Sequence, residues 1–456
     1  MRRKFMKKNV FATFVLLSIV LVILFHFAGC DKLKVSNLEG NYYLKQANRY
    51  YQEEVYRRAI EAYETALSYN PQLKQVYIYL GTSYSQVYRP MKDDERNKRD
   101  GEKAEEYLLK AKEYEPDREE VVIALGDLYD KMGNFEKSEE NYRNILQKRK
   151  SEFDSIKQEI KGYQDKGEVK KAEELQRASA EKMTGVVKAY YTLANFYEKN
   201  GKNEQAEEMY KERIQLDTKD PEGYHYYVGY LQNQRRWEEA IVTHEKRLYA
   251  MLDPDIIDIV QQIAQLQVDT EEVKKTTEFV GTVKKNQRVN AEEKQRLIAE
   301  AEGRIKGKLP VAEAEKKLAE LNQDMEKRIK RAEATTDTLG EEEKQKVSET
   351  YYSIGNVCWN WSYQTPADFM SPELRKPIID KGLANLEKAT KLTPEYADPY
   401  AYMGLLWREM IKVNPLKKDE YVKKNDEYNK KFTDIYKKRQ RQDEYKKKLE
   451  EMGEEK

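Results

Sequence analysis

The stretch Gly40–Leu73, GNYYLKQANRYYQEEVYRRAIEAYETALSYNPQL, decides the fold. Tyr43, Ala47 and Tyr50 recur three and four residues apart, which places them on one face of a helix. A polar turn follows, and Ala59, Tyr63 and Ala66 repeat that spacing before Pro71 stops the chain. The spacing predicts two short helices packed face to face. Ala47 and Ala59 are small where the helices would cross, so the backbones can approach while tyrosine rings fill the space around them.

The unit recurs in phase. Ala47 to Gly81 is 34 residues, and the second copy reads Tyr77, Leu80, Gly81 and Tyr84, then Ala104, Leu108, Ala111 and Pro116. An insertion around Arg89–Lys98 separates its two helices. Gly126, Tyr129, Ser138 and Tyr142 form a third copy, and Gly126 to Ala194 is 68 residues, twice the period. Ile156, Tyr163, Gly167 and Ala172 mark a degenerate unit between them, although Ile160 stands where a small residue belongs. A long helical hairpin over 150–183 is the alternative.

Aromatic, small, aromatic in the first helix, then small, aromatic, small and a closing Pro resembles the tetratricopeptide repeat. The resemblance implies an all-α superhelical solenoid of about seven to nine helix-turn-helix units. The expected array covers 40–290, with units at 40–73, 74–118, 119–152, 153–186, 187–221, 222–256 and 257–290. Of these, 153–186 and 257–290 are degenerate. The fifth carries Tyr190, Leu193, Ala194, Tyr197, Ala206 and Tyr210. The sixth has Tyr224, Gly229, Trp237 and Ala240 and is one residue short in its turn, and the seventh keeps Val260, Ile263, Ala264, Val280 and Val283.

Between 291 and 346 the pattern changes. Leu297, Ala301 and Ile305 precede a turn at Gly307–Pro310, and Val311, Ala314, Leu318, Leu321, Met325 and Ala332 then form one stripe. This predicts a charged antiparallel hairpin standing off the array, either a solvated spacer or a second docking or self-association arm. The repeat returns over 347–439 with Tyr351, Ile354 and Gly355, then Gly382, Leu386, Ala389 and Pro394, then Tyr400, Met403, Gly404 and Trp407. A basic helix from Leu416 to Arg439 caps it, and 440–456 is a charged tail expected to fray.

Charged residues are 36% of the chain and hydrophobic ones 39%, a balance that by itself suits disorder. The 35 tyrosines argue otherwise, because they fall at repeat positions. Residues 1–29 read as a secretory leader: Arg2, Arg3, Lys4, Lys7 and Lys8 precede an apolar run from Val10 to Ala28. The ending Phe27-Ala28-Gly29-Cys30 resembles a bacterial lipoprotein signal, which implies lipidation of Cys30, with 30–39 as a tether. It further implies a cell-envelope location, lipid-anchored at a membrane and facing the periplasm or exterior. An uncleaved membrane anchor is the alternative, and both keep the remainder outside the cytoplasm. Losing the leader removes five positive charges and no negative ones, taking the formal net charge from +1 to −4. A nucleic-acid binder would be strongly basic, so no nucleic-acid partner is expected.

No catalytic, metal or cofactor constellation emerges, so neither an enzyme nor a small-molecule substrate is expected. His225 and His244 are the histidines outside the leader, and His244-Glu245 lacks the second His of a zincin helix. His244 instead occupies the aromatic place of a second helix. Gly303 to Lys308 is too short between glycines for a phosphate loop and has Leu309 where Ser or Thr is needed. What remains is binding geometry. The resemblance implies a concave groove lined by first helices, with positions three before and one, four or five after the small residue facing it. Asn48, Asn195 and Asn356 hold the place just after it, and Tyr191 and Tyr352 lie three before. Tyr226 and Tyr230 are the equivalents in the sixth unit. These amides and rings suit an extended peptide backbone. Leu44 stands where peptide-binding members place a carboxylate-clamp lysine, so a terminal carboxylate is not the expected target.

The expected function is a membrane-tethered scaffold for protein partners, binding extended segments or complex subunits. The alternative is a structural accessory of an envelope polysaccharide or outer-membrane export system. Cys30→Ala is expected to abolish incorporation of labelled palmitate, and undiminished labelling of that variant refutes the lipoprotein reading.

Overall fold

The structure, a computed structural model, describes residues 35–454. The leader, Cys30 and the start of the tether lie outside the described residues. Among the described residues the regular structure is wholly helical, with 17 α-helices and no strand. The chain forms two compact units, Met1–Ala206 and Glu207–Lys456.

The first unit stacks α1 (Val35–Gln52) on α2 (Tyr56–Tyr69), α3 (Val76–Val87) on α4 (Glu95–Tyr114), and α5 (Glu119–Lys131) on α6 (Phe135–Asp165). Ala47, Ala59, Tyr63, Leu80, Leu108 and Leu125 are buried in one continuous core, as the spacing predicts. Gly81 shows why the first helix needs a small residue. A Cβ there would sit 2.7 Å from Leu108 Cγ, and one at Gly126 would sit 2.8 Å from the Tyr142 ring. The expected insertion is shorter than predicted because α4 starts at Glu95, capped by Asp94. Buried Asn97 closes the remaining loop, donating to the carbonyls of Arg89 and Lys92 and accepting from the Arg89 amide.

The expected unit at 153–186 is not a separate repeat. Helix α6 runs unbroken past 152, and α7 (Val169–Lys199) runs unbroken past 186, joined at Gly167 with φ +73°. The residues 149–154 are RKSEFD, with no Gly, Pro or Asn to stop a helix, and the lone Gly185 is tolerated in mid-helix. Arg149 braces the pair by pairing with Glu119 at 2.8 Å and donating to the Gly185 carbonyl at 2.8 Å. This is the long hairpin alternative.

In the second unit, α8 (Asn203–Leu216) enters from the boundary, and α9 (Pro221–Asn233) pairs with α10 (Trp237–Leu252). Next come α11 (Asp255–Lys285), α12 (Ala291–Arg304) and α13 (Val311–Ala334). None of the three takes the next place in the stack. That place belongs to α14 (Glu341–Gln364), which packs on α10 through Leu248, Val347 and Tyr351. Residues 253–340 are therefore an insertion. The expected repeat at 257–290 is a single long helix, and α13 packs along α11 rather than on α12. Arg328 pairs with Asp253 and Lys274 with Glu315, while Lys308 is taken up by Asp269 and Glu272. The turn that a repeat needs near 273 is missing, since 270–280 reads TEEVKKTTEFV, and α11 continues through it.

The stack closes with α15 (Pro372–Leu392), α16 (Asp398–Glu409) and α17 (Lys418–Glu454). Helix α17 runs through the expected tail. Fully buried Arg375 reaches the carbonyls of Ser362, Thr365 and Pro366 and lies 3.7 Å from buried Glu409, pinning the loop before α15.

Repeat junctions share a latch. Tyr129 donates to Glu105 at 2.9 Å, Tyr197 to Glu139 at 2.8 Å and Tyr227 to Glu207 at 2.8 Å. Each carboxylate also takes a cation from the start of the next second helix: Lys137, Lys202 and Arg236. The Arg236 bond carries the Glu207 pKa down to about 2.

At Gly355 a Cβ would overlap Leu386, the tightest such approach in the unit. Gly355→Ala is expected to destabilise the second unit by about 1–3 kcal/mol. Leu386→Ala should make that substitution nearly neutral in a double-mutant cycle. All four tryptophans lie beyond residue 206, so urea unfolding followed by tryptophan fluorescence reads this unit.

Candidate partner-binding faces

The sequence-expected groove residues divide between the units. In the first, Asn48 is exposed on α1, but its Oδ1 accepts from Tyr63 at 2.8 Å, so the second helix fixes its orientation. Tyr191 is half-buried and Asn195 exposed one turn later on α7. They lie in different repeats from Asn48.

In the sixth repeat the register needs correction. Tyr224, Tyr227, Val228 and Leu231 are buried, while Gly229 is exposed and a Cβ on it would meet nothing. The small position is therefore Val228, 34 residues after Ala194, and the groove positions become His225 and Gly229. Tyr230 is 3% exposed and packs against the rings of Tyr210 and Tyr227, with centroids at 5.5 and 6.2 Å. It is a core residue. Tyr226 is exposed beside the His225 ring.

Helix α14 gathers the fullest set. Tyr352 lies edge-on to Tyr396 and Tyr402, with centroids at 5.3 and 5.4 Å. One turn on, the Asn356 Oδ1 accepts from the Asn360 amide at 3.0 Å, and Asn360 accepts from Gln364 at 3.3 Å. Beside this ladder Trp359 stacks on Tyr363 at 5.0 Å and meets Tyr402 edge-on at 5.3 Å. Tyr363 is 59% exposed. Trp359 and Asn360 stand four and five places after Gly355, groove positions that the resemblance implies but that the sequence reading did not fill. That spacing could have found them.

A family model described as "Tetratricopeptide repeat" matches residues 120–147 and 187–220. The chain carries tetratricopeptide repeats there, and such repeats make a protein–protein interaction scaffold. A search of curated proteins found no match. Among solved structures, the chain is similar to "Crystal Structure of P58(IPK) TPR Domain at 2.5 A", with 12% identity, 88% of this chain and 99% of that chain covered, and TM-score 0.20. "Structure of Naa15/Naa10 bound to HypK-THB" matches at 13% identity over 87% of this chain and 65% of that one, with TM-score 0.20. "Circular tandem repeat protein with novel repeat topology and enhanced subunit contact surfaces" matches at 12% identity, 89% and 99% coverage, and TM-score 0.26. Scores of this size carry no inference about helix arrangement or partners.

The buried His244 is a packing residue, as its place in α10 predicts, but a polar one. It is 3% exposed, and neither ring nitrogen has a hydrogen-bond partner among the described residues. Burial first, then the charges of Arg247 and His225, push its pKa down to about 3. The unfolded chain therefore binds a proton below about pH 6.5 that the fold refuses. Stability of the second unit is full above that pH and falls by roughly 1.4 kcal/mol per pH unit as pH drops toward about 3. Replacing His244 with Phe is expected to flatten the urea midpoint between pH 7.5 and 5.5. An equal fall in both proteins would assign the acid sensitivity elsewhere.

Proposed function

We propose that this chain is a membrane-tethered scaffold that captures an extended segment of a protein partner on the amide and aromatic strip of α14. The observation that carries the reading is the Asn356–Asn360–Gln364 ladder flanked by Trp359 and Tyr363. Each amide in it keeps hydrogen-bonding capacity beyond its neighbour, which suits a peptide backbone that both donates and accepts. The rings add apolar contact with little rotamer freedom to lose. Tyr191 and Asn195 on α7 offer the same chemistry on a smaller scale. The apolar run from Val10 to Ala28 and Cys30 support the tether, and a bacterial cell-envelope location is part of the same proposal.

The pair Asn356→Ala and Asn360→Ala removes two backbone-directed amides from a half-buried surface. At about 1 kcal/mol each, the double variant should recover its crosslinked partners at least tenfold less well from intact membranes. Circular dichroism should stay unchanged. Equal recovery by variant and wild type rules out the α14 strip as the capture site.

A further inference from the structure

The insertion leaves an open groove inside the second unit. Helix α11 carries two apolar faces. One carries the buried Ile259 and Val273, and α13 packs along this helix. The other, with Val260, Ala264 and Val268, faces α8 and α10 across a gap of about 790 Å³. Ile214 of α8 and Val242 of α10 form the opposite wall, and Tyr224 and Tyr227 also line it. Val242 and Val268 are 43% and 63% exposed, so these walls are not closed by the rest of the unit. The gap is held at one end, where Lys219 pairs with Asp255 at 3.2 Å and Asp258 at 2.8 Å. On α10, Val242, Thr243 and Lys246 lie on the side of the helix away from Leu248 and Met251, which meet α14.

Two lysines and two glutamates line this groove, and Glu238 lies about two turns before Lys246 on α10, out of ion-pair reach of it. Lys211 pairs with Glu207 at 2.7 Å, and Glu239 is taken by Arg236. Lys246 lies half-buried between the apolar walls with no carboxylate in ion-pair reach among the described residues. Burial alone holds its pKa below the ordinary lysine value. A desolvated cation without a counter-charge is a cost the fold carries, and an arriving carboxylate relieves it. Along the rim, Gln215, Gln261 and Gln265 present side-chain amides. A fatty acid needs one polar contact and a closed apolar tunnel; this groove is open along its length and fringed with amides, which suits a peptide backbone.

We propose that the groove between α8, α10 and α11 is a second docking site, which takes an aliphatic protein segment and pairs its Glu or Asp with Lys246. From Ile257 to Val268 the wall is about 16 Å long, room for about five extended residues. The site is separate from the α14 strip, so its failure leaves the scaffold reading untouched.

The test uses the chain from residue 30 onward and acetylated, amidated eleven-residue peptides of Val, Leu, Ala and Ser with a central Glu, Gln or Lys, read by fluorescence anisotropy. The Glu peptides should bind at least tenfold tighter than the Gln peptides, and the Lys peptides should not bind. Lys246→Met should abolish that preference, and Val268→Arg on the exposed wall should weaken all binding. Ala264→Trp should fill the groove and do the same, with circular dichroism confirming the fold of each variant. Equal affinity for Glu and Gln peptides overturns the proposal, as does a preference that survives Lys246→Met. Binding of oleate without binding of any peptide overturns it too, and assigns the groove to a lipid.

Discussion

Everything in the two units depends on how closely a first helix can approach its second helix. The permitted distance is set at single points, Ala47, Gly81, Gly126 and Gly355, where the facing side chain already occupies the volume a larger residue would need. Leu108, Tyr142 and Leu386 each reach over the opposing backbone at one of these points. Native interiors are close-packed, so the contact is bistable: the pair either meets at that separation or does not seat. The tyrosines surrounding each point are consequences of it, since flat rings fill the shallow wedges left between helices that cross so closely.

That constraint is local, and for this reason it was legible in the sequence. The small residues and their aromatic neighbours lie within one 34-residue unit, and the period carries them forward. Long-range facts were not legible. The slip of one residue at Gly229 arose because a glycine stood next to the true position, and Val228 is too large to announce itself. The insertion escaped because α11 keeps apolar residues in a repeat-like register while packing them against α13 and an open groove. Binding positions were legible only in part. Asn356 could be placed from spacing, whereas its hydrogen bond to Asn360 and the ring of Tyr402 beside Trp359 come from neighbouring turns and a later helix.

The latches add directional chemistry to a stack otherwise held by shape. A phenol donating to a carboxylate that also receives a cation is a part-buried, charge-assisted arrangement, stronger than a neutral bond and sensitive to its alignment. Glu105, Glu139 and Glu207 each join two successive repeats in this way, so each fixes the rotation of one repeat on the next. In the inserted region the same chemistry recurs from a different source. Glu333, which belongs to α13, receives Lys388 at 2.6 Å and lies 3.4 Å from the Tyr351 hydroxyl. The insertion thereby supplies the carboxylate that a preceding repeat would have given, and its end is stitched to the stack it interrupts.

The meeting of α10 with α14 also has a history in time. Thr350 touches Met251 across 99 residues of chain. A polypeptide grows at about 5–20 residues per second, so the apolar edge of α10 waits on the order of five to twenty seconds for its cover. During that interval Leu248, Met251 and Leu252 present a sticky surface to any neighbour. The three inserted helices form meanwhile from short-range contacts and can stand guard beside it. Synthesis of this chain thus contains a pause in which half of one repeat is finished and unprotected, and any factor that shields nascent chains has its most urgent task there.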